Sequence, residues 1–236
     1  MIFEKNDKLN TIKYSFLIFL TPIIILFLIK IYTFVISFNL YVTSGAEITT
    51  LNFLYNLLNK NNLLDVQKNN ILYEFYGLNF HLIYFPFVKL LGFFKIHYLF
   101  SSRIFTLLLV FILPIILIKI GEKISFKKSF FINHKKIFYF VILAFLINHQ
   151  SSSWWIITYR PDIIAITLSF LSVLFFFNFI ENKKNSSFLI SILLCVISWT
   201  LKQNFLFTHC SIFLYLLYKK NFYHLFLYIL LVPLFI

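Results

Sequence analysis

Residues 14–36 form an apolar run. Coiled as a helix, the run reaches about 35 Å, more than the ~30 Å hydrocarbon core of a bilayer. No other feature constrains the chain as tightly. A secretory signal carries an apolar region of only about 7–15 residues, followed by small residues at a cleavage site. The run therefore reads as a retained first membrane span. Composition points the same way. The chain is 61% hydrophobic and 12% charged, whereas soluble domains carry about 45–50% and about 25%. Too few polar side chains exist to cover a water-facing surface, and chains this apolar do not stay disordered. With 4 Gly, 5 Pro and 2 Cys, collagen-like and disulfide-rich scaffolds are excluded as well. Cys195 and Cys210 lie in apolar stretches and read as small core residues.

Further apolar runs follow at 97–121, 137–150, 162–180, 188–201, 203–218 and 222–236. Segment 44–60 places Leu51, Leu54, Tyr55 and Leu58 on one helical face, but is too short and polar to cross. It predicts an amphipathic helix at the interface. Segment 78–93 is apolar but short, and contains His81, Pro86 and Lys89. The fold class expected is all-α: one polytopic transmembrane helix bundle over 1–236, with an interfacial helix in its first outer loop. The chain stops inside an apolar run, VPLFI, so a longer, C-terminally truncated protein is one expectation.

The formal charge is +13. In a soluble protein this would raise nucleic acid as a partner. Here the basic residues cluster between apolar runs, as in the basic loop expected at 122–136 and other cytoplasmic loops that orient a membrane protein, and no nucleic-acid partner is expected. If 78–93 does not cross and the N-terminus is cytoplasmic, twelve basic loop residues lie inside. Five then lie outside: Lys60, Lys68, Lys95, Arg160 and Lys202. If 78–93 crosses, the count becomes six inside and eleven outside. The positive-inside rule selects the first arrangement, with 78–93 re-entrant or interfacial. The expected location is the cytoplasmic (inner) membrane. The runs at 137–150 and 188–201 are short, about 21 Å each as helix. Polar residues stand at their outer ends, predicting a cavity that sinks into the membrane.

Ionisable residues near such a cavity need explaining. Glu47 begins the amphipathic helix, either as an acid favoured by the helix dipole or as a catalytic carboxylate. Arg160–Pro161–Asp162 opens a span. Pro in the first turn and Asp at the positive end are ordinary helix-start chemistry, so Arg160 and Asp162 either just start the helix and pair, or bind a ligand. Lys202–Gln203 is either a polar turn or part of the same site. Arg103 lies six residues into its span and either snorkels or holds an anion. His81 and Tyr84 add polar and aromatic surface. One carboxylate beside several cations suits a lipid-linked phosphate substrate. The cations would grip the phosphate, and the carboxylate would take a proton from an acceptor hydroxyl. Gly-rich phosphate loops, HExxH, GxSxG and CxxC are absent from the sequence.

The order of these features resembles the N-terminal portion of polytopic glycosyltransferases of the glycosyltransferase-C superfamily, the protein-mannosyltransferase-like (family 39-like) group. The resemblance runs over about residues 14–218. It rests on SGAEITTLNFLYNLL with Glu47, YGLNFHLIYFPFVKLLG at 76–92, SSRIFTLLL with Arg103, YRPDIIAITLSF at 159–170 and LKQNFL at 201–206. Ala46–Glu47 stands where the family often has Asp-Glu, and Leu78–Asn79 near its usual Pro-Pro. The resemblance implies inverting transfer of a sugar from a polyprenyl-phosphate donor to a lipid, glycan or protein acceptor at the outer face. Glu47 would be the general base, and Arg103, Arg160 and Lys202 would bind phosphate. No organic cofactor is implied, and a divalent metal remains open. The alternatives are a non-catalytic carrier or flippase of a lipid-linked sugar, and an inactive fragment.

Overall fold

The computed structural model describes residues 21–22, 24–26, 28–29, 32, 45–59, 78–124, 128–148 and 158–234; the side chains of 45–49, 78 and 128–133 lie outside that set. Among the described residues all regular structure is helical. The order is α1 (Gly45–Leu58), α2 (Leu78–Phe93), α3 (Tyr98–Ile124), α4 (Lys128–Asn148), α5 (Pro161–Asn182), α6 (Asn185–Leu201), a 3₁₀ turn (Gln203–Phe205), α7 (Leu206–Tyr218) and α8 (Phe222–Leu234). Within the first apolar run, the described positions between 21 and 32 are helical and exposed. Two helices, α3 and α5, are long and apolar enough to cross a membrane, while α6 and most of α8 are shorter apolar helices.

Local chemistry explains the boundaries. Arg160 is extended (φ −141°, ψ 153°) because it precedes Pro161, which starts α5. Three turns end a helix with a lysine in the left-handed region: Lys95 (φ 59°), Lys183 (φ 55°) and Lys220 (φ 52°). Glycine is the usual occupant there, but a lysine at a helix C-terminus also meets the negative end of the dipole. The basic segment 122–136, expected as a loop, is helical on both sides. It contains no Gly or Pro, so α3 runs on to Ile124 and α4 starts at Lys128, with a kink at His134 (φ −116°, ψ 16°).

The tightest pair is α5 with α6. Ala165 and Ser172 face Ser191, Cys195 and Ser198, all of them buried, while the Ser169 hydroxyl meets Thr208 of α7. Small residues at this spacing let two backbones approach closely. Ser198 Oγ donates to the Ala165 carbonyl (2.8 Å), Ser172 Oγ to the Ser191 carbonyl (2.8 Å) and Ser191 Oγ to the Ser172 carbonyl (3.0 Å). These bonds set the antiparallel register, and the start of α5 therefore meets the end of α6. Leu54 of α1, Phe80 and Tyr84 of α2, Leu99 of α3, Tyr159 and Ile164 around the start of α5, and Leu201 of α6 form one core cluster at that end.

In α1, Thr50, Leu51 and Leu54 are buried while Asn52 and Tyr55 are exposed. The helix is amphipathic as expected, except that Tyr55 lies off the buried stripe, its ring 5.6 Å from that of Tyr98. Of the two cysteines expected in the core, Cys195 is buried but Cys210 is exposed. Cys210 points away from the α5–α6 seam into an apolar groove beside α8. Large apolar side chains also face outward on several helices, including Phe145, Phe207, Leu214 and Phe226, each more than half exposed.

Candidate functional site

The start of α5 and the end of α6 bring together three charges that the sequence separates. Asp162, in the first turn of α5, is 6% exposed, and its Oδ2 lies 3.5 Å from Arg160 Nε. Its Oδ1 contacts the ammonium of Lys202, which follows the last residue of α6. Lys202 is held there by its own N–H donating to the Ser198 carbonyl at 3.1 Å. The Asp162 carboxylate also sits at the positive end of α5, where the dipole favours it. Arg160 and Lys202 remain about a quarter exposed. Among the described side chains the cluster counts one carboxylate and two cations. Burial, and after it the Arg160 charge, hold the Lys202 ammonium below the ordinary lysine range. The contact with Asp162 opposes both.

A polar and aromatic wall stands beside this cluster. His81 is fully buried, and its Nδ1 lies 2.9 Å from the Tyr159 hydroxyl, one residue before Arg160. Phe53 of α1 packs on the other side of His81, centroids 4.4 Å apart. The Tyr84 hydroxyl lies 2.9 Å from Thr106 Oγ1, and the Tyr84 ring meets Tyr159 edge-on at 4.8 Å. Asn79 Nδ2 donates to Thr200 Oγ1 at 3.3 Å, tying α2 to the end of α6.

Of the residues expected at the site, Arg160, Asp162 and Lys202 are in one cluster, and His81 and Tyr84 join it through Tyr159. Gln203 is exposed and opens the 3₁₀ turn beside Lys202. Arg103 is fully buried, so its guanidinium does not snorkel outward. It lies one turn before Thr106, the partner of Tyr84. Position 47 falls one turn before Thr50 and Leu51 on α1, in register with that helix's buried stripe; the Glu47 side chain lies outside the described residues. Asn79, Thr106 and Thr200 escaped the sequence reading. Uncharged polar residues in apolar runs carry no distinctive spacing, and only their cross-helix partners reveal them.

The donor set bears on the open question of a metal. Asp162 faces two cations, and among the described residues no group of three or more His, Cys, Asp or Glu side chains gathers to hold a metal ion. The chemistry of Asp162 is that of an anchor holding two cations at the mouth of the α5–α6 pair. No protein-family model, no curated protein and no solved structure matches this chain.

Proposed function

We propose that this chain is a multi-pass inner-membrane glycosyltransferase of the glycosyltransferase-C type, with a cytoplasmic N-terminus. It would move a sugar from a polyprenyl-phosphate donor to an envelope acceptor at the outer face. The observation that carries the reading is the enclosed Arg160–Asp162–Lys202 cluster, backed by the His81–Tyr159–Tyr84 wall. Outward-facing Phe and Leu side chains favour lipid as the surrounding solvent. The 17-residue α6 separates Lys184 from Lys202 by about 27 Å. With Lys184 at one interface of a ~30 Å core, the cluster lies close to the other. Ionisable groups enclosed by helices at a membrane boundary are candidates for function.

In this mechanism Arg160 and Lys202 hold the donor phosphate. Asp162 keeps both cations in place and keeps their charge from repelling them apart. Glu47 takes the proton of the acceptor hydroxyl as its oxygen bonds to the sugar's anomeric carbon. The bond from that carbon to the phosphate oxygen breaks, and the two cations stabilise the charge gained by the leaving phosphate. Tyr84 and Tyr159, both fully buried, form the packed floor behind the cluster.

The reading is tested with the protein in membranes supplied with labelled polyprenyl-phosphate sugars, alongside mass spectrometry of envelope glycans with and without the gene. Loss of one glycan with the gene, and loss of turnover with retained donor binding in Glu47→Gln, is the result expected. Unchanged glycans would overturn it. Donor movement that survives Glu47→Gln would mark a carrier instead.

A further inference from the structure

A concavity lies at the opposite end of the bundle, where the α5–α6 turn meets the α7–α8 turn. It has a volume of about 550 Å³ and is lined by Lys183, Lys219, Lys220 and Asn221 over Phe179 and Tyr215. We propose that this three-lysine cavity binds a phosphate anion, carried by a membrane lipid headgroup or by a soluble phosphate ester.

The backbone fixes the lysines. Lys183 N–H donates to the Phe179 carbonyl at 2.8 Å, Lys219 N–H to Tyr215 at 2.9 Å and Lys220 N–H to Leu217 at 3.0 Å. Lys183 and Lys220 both adopt the left-handed conformation, which non-glycine residues adopt only rarely. The Lys183 ammonium lies 5.9 Å from the centre of the Phe179 ring, and that of Lys219 lies 5.9 Å from Tyr215. The cavity is thus cationic at the rim and apolar below, the profile of a phosphate headgroup with its glycerol and first methylenes.

The accounting of acids sharpens this. Two other lysines described at this end have carboxylate partners: Lys123 pairs with Glu181 at 2.5 Å and Lys135 with Glu122 at 2.7 Å. None of the three cavity lysines has an acid partner among the described residues, and no acid lines the cavity. Topogenic lysines explain why positive charge gathers at this end. They do not explain why three converge on one hollow, where their mutual repulsion favours an anion. Basic pockets between transmembrane helices on the cytoplasmic side are where anionic headgroups bind. This site is independent of the transferase reading and survives its failure.

The test uses the full chain in phosphatidylcholine nanodiscs with and without phosphatidylglycerol, and in detergent with inorganic phosphate. Retained lipid is read by native mass spectrometry, and stabilisation by thermal unfolding. The wild type is expected to retain phosphatidylglycerol selectively, and the combined Lys183→Gln, Lys219→Gln and Lys220→Gln variant to lose at least tenfold in apparent affinity. The paired-lysine control, Lys135→Gln, should bind as the wild type does. Saturable stabilisation by inorganic phosphate, with the same lysine dependence, would place the anion in solution rather than on a lipid. If the triple variant does not fold, Lys219→Gln alone should weaken binding several-fold and Lys219→Arg should restore it. Wild-type retention in a folded triple variant, or in Lys219→Gln, would overturn the proposal, as would a wild type indifferent to both anions.

Discussion

At the end of the bundle where α3, α5 and α7 finish, charges pair at the surface or stand around an open hollow. At the end where α5 begins, they are packed into the protein. Glu181, in the Lys123 pair, is 41% exposed, whereas Asp162 is 6% exposed between Arg160 and Lys202. Arg103 and His81 nearby are fully buried. Exposed pairs contribute little, because water and salt screen them. Buried ones cost desolvation that their attraction only partly offsets. The contrast separates an end whose charges meet water from an end whose charges are enclosed by helices.

Removing the acid from each end tests that contrast most directly. Asp162→Ala leaves two cations facing each other at a half-buried site. It should cost about 3 kcal/mol in denaturant unfolding of the purified protein, and should release Lys202. An effect as small as that of a surface pair would erase the distinction between the ends. Next in size is Ser172→Leu, which forces a large side chain into the α5–α6 seam. Overpacking should cost roughly 2 kcal/mol and disturb the Asp162–Lys202 contact from a distance. Loss of an Asp162–Lys202 cross-link between introduced cysteines would register it. Smaller again is a pH effect. The Lys202 ammonium titrates below the ordinary lysine range. As pH rises through that lowered value the cluster loses one positive charge, so anion binding should weaken earlier on the alkaline side than an ordinary lysine (~10.4) allows. Lys202→Arg should move that limb to higher pH. Smallest is Glu181→Ala, expected to shift stability by about 0.5 kcal/mol at low salt and less at high salt.

Much of this arrangement was legible beforehand. The apolar runs located the helices at 78–93, 98–124 and 161–182 because hydrophobic content and length are properties of the segment itself. Arg160–Pro161–Asp162 declared a helix start, since Pro fixes the residue before it as well as the first turn. The basic segment 122–136 misled, because charge density suggests a loop while the absence of Gly and Pro lets a helix continue. Tyr55 and Cys210 were assigned to buried faces on periodicity and polarity. Which face is covered depends on the neighbour, and neither α2 nor α8 could be placed against them from one strand of text.

By itself, the sequence determined that the chain is helical and which few ionisable residues had to be explained; of the apolar runs it offered as spans, two helices among the described residues are long and apolar enough to cross a bilayer. Tertiary structure alone decided that Lys202 meets Asp162 across 40 positions and His81 meets Tyr159 across 78. Propensity, capping and proline act within one or two turns. A pairing between helices depends instead on the register at which small residues let their backbones close, and that register is a property of the packed pair.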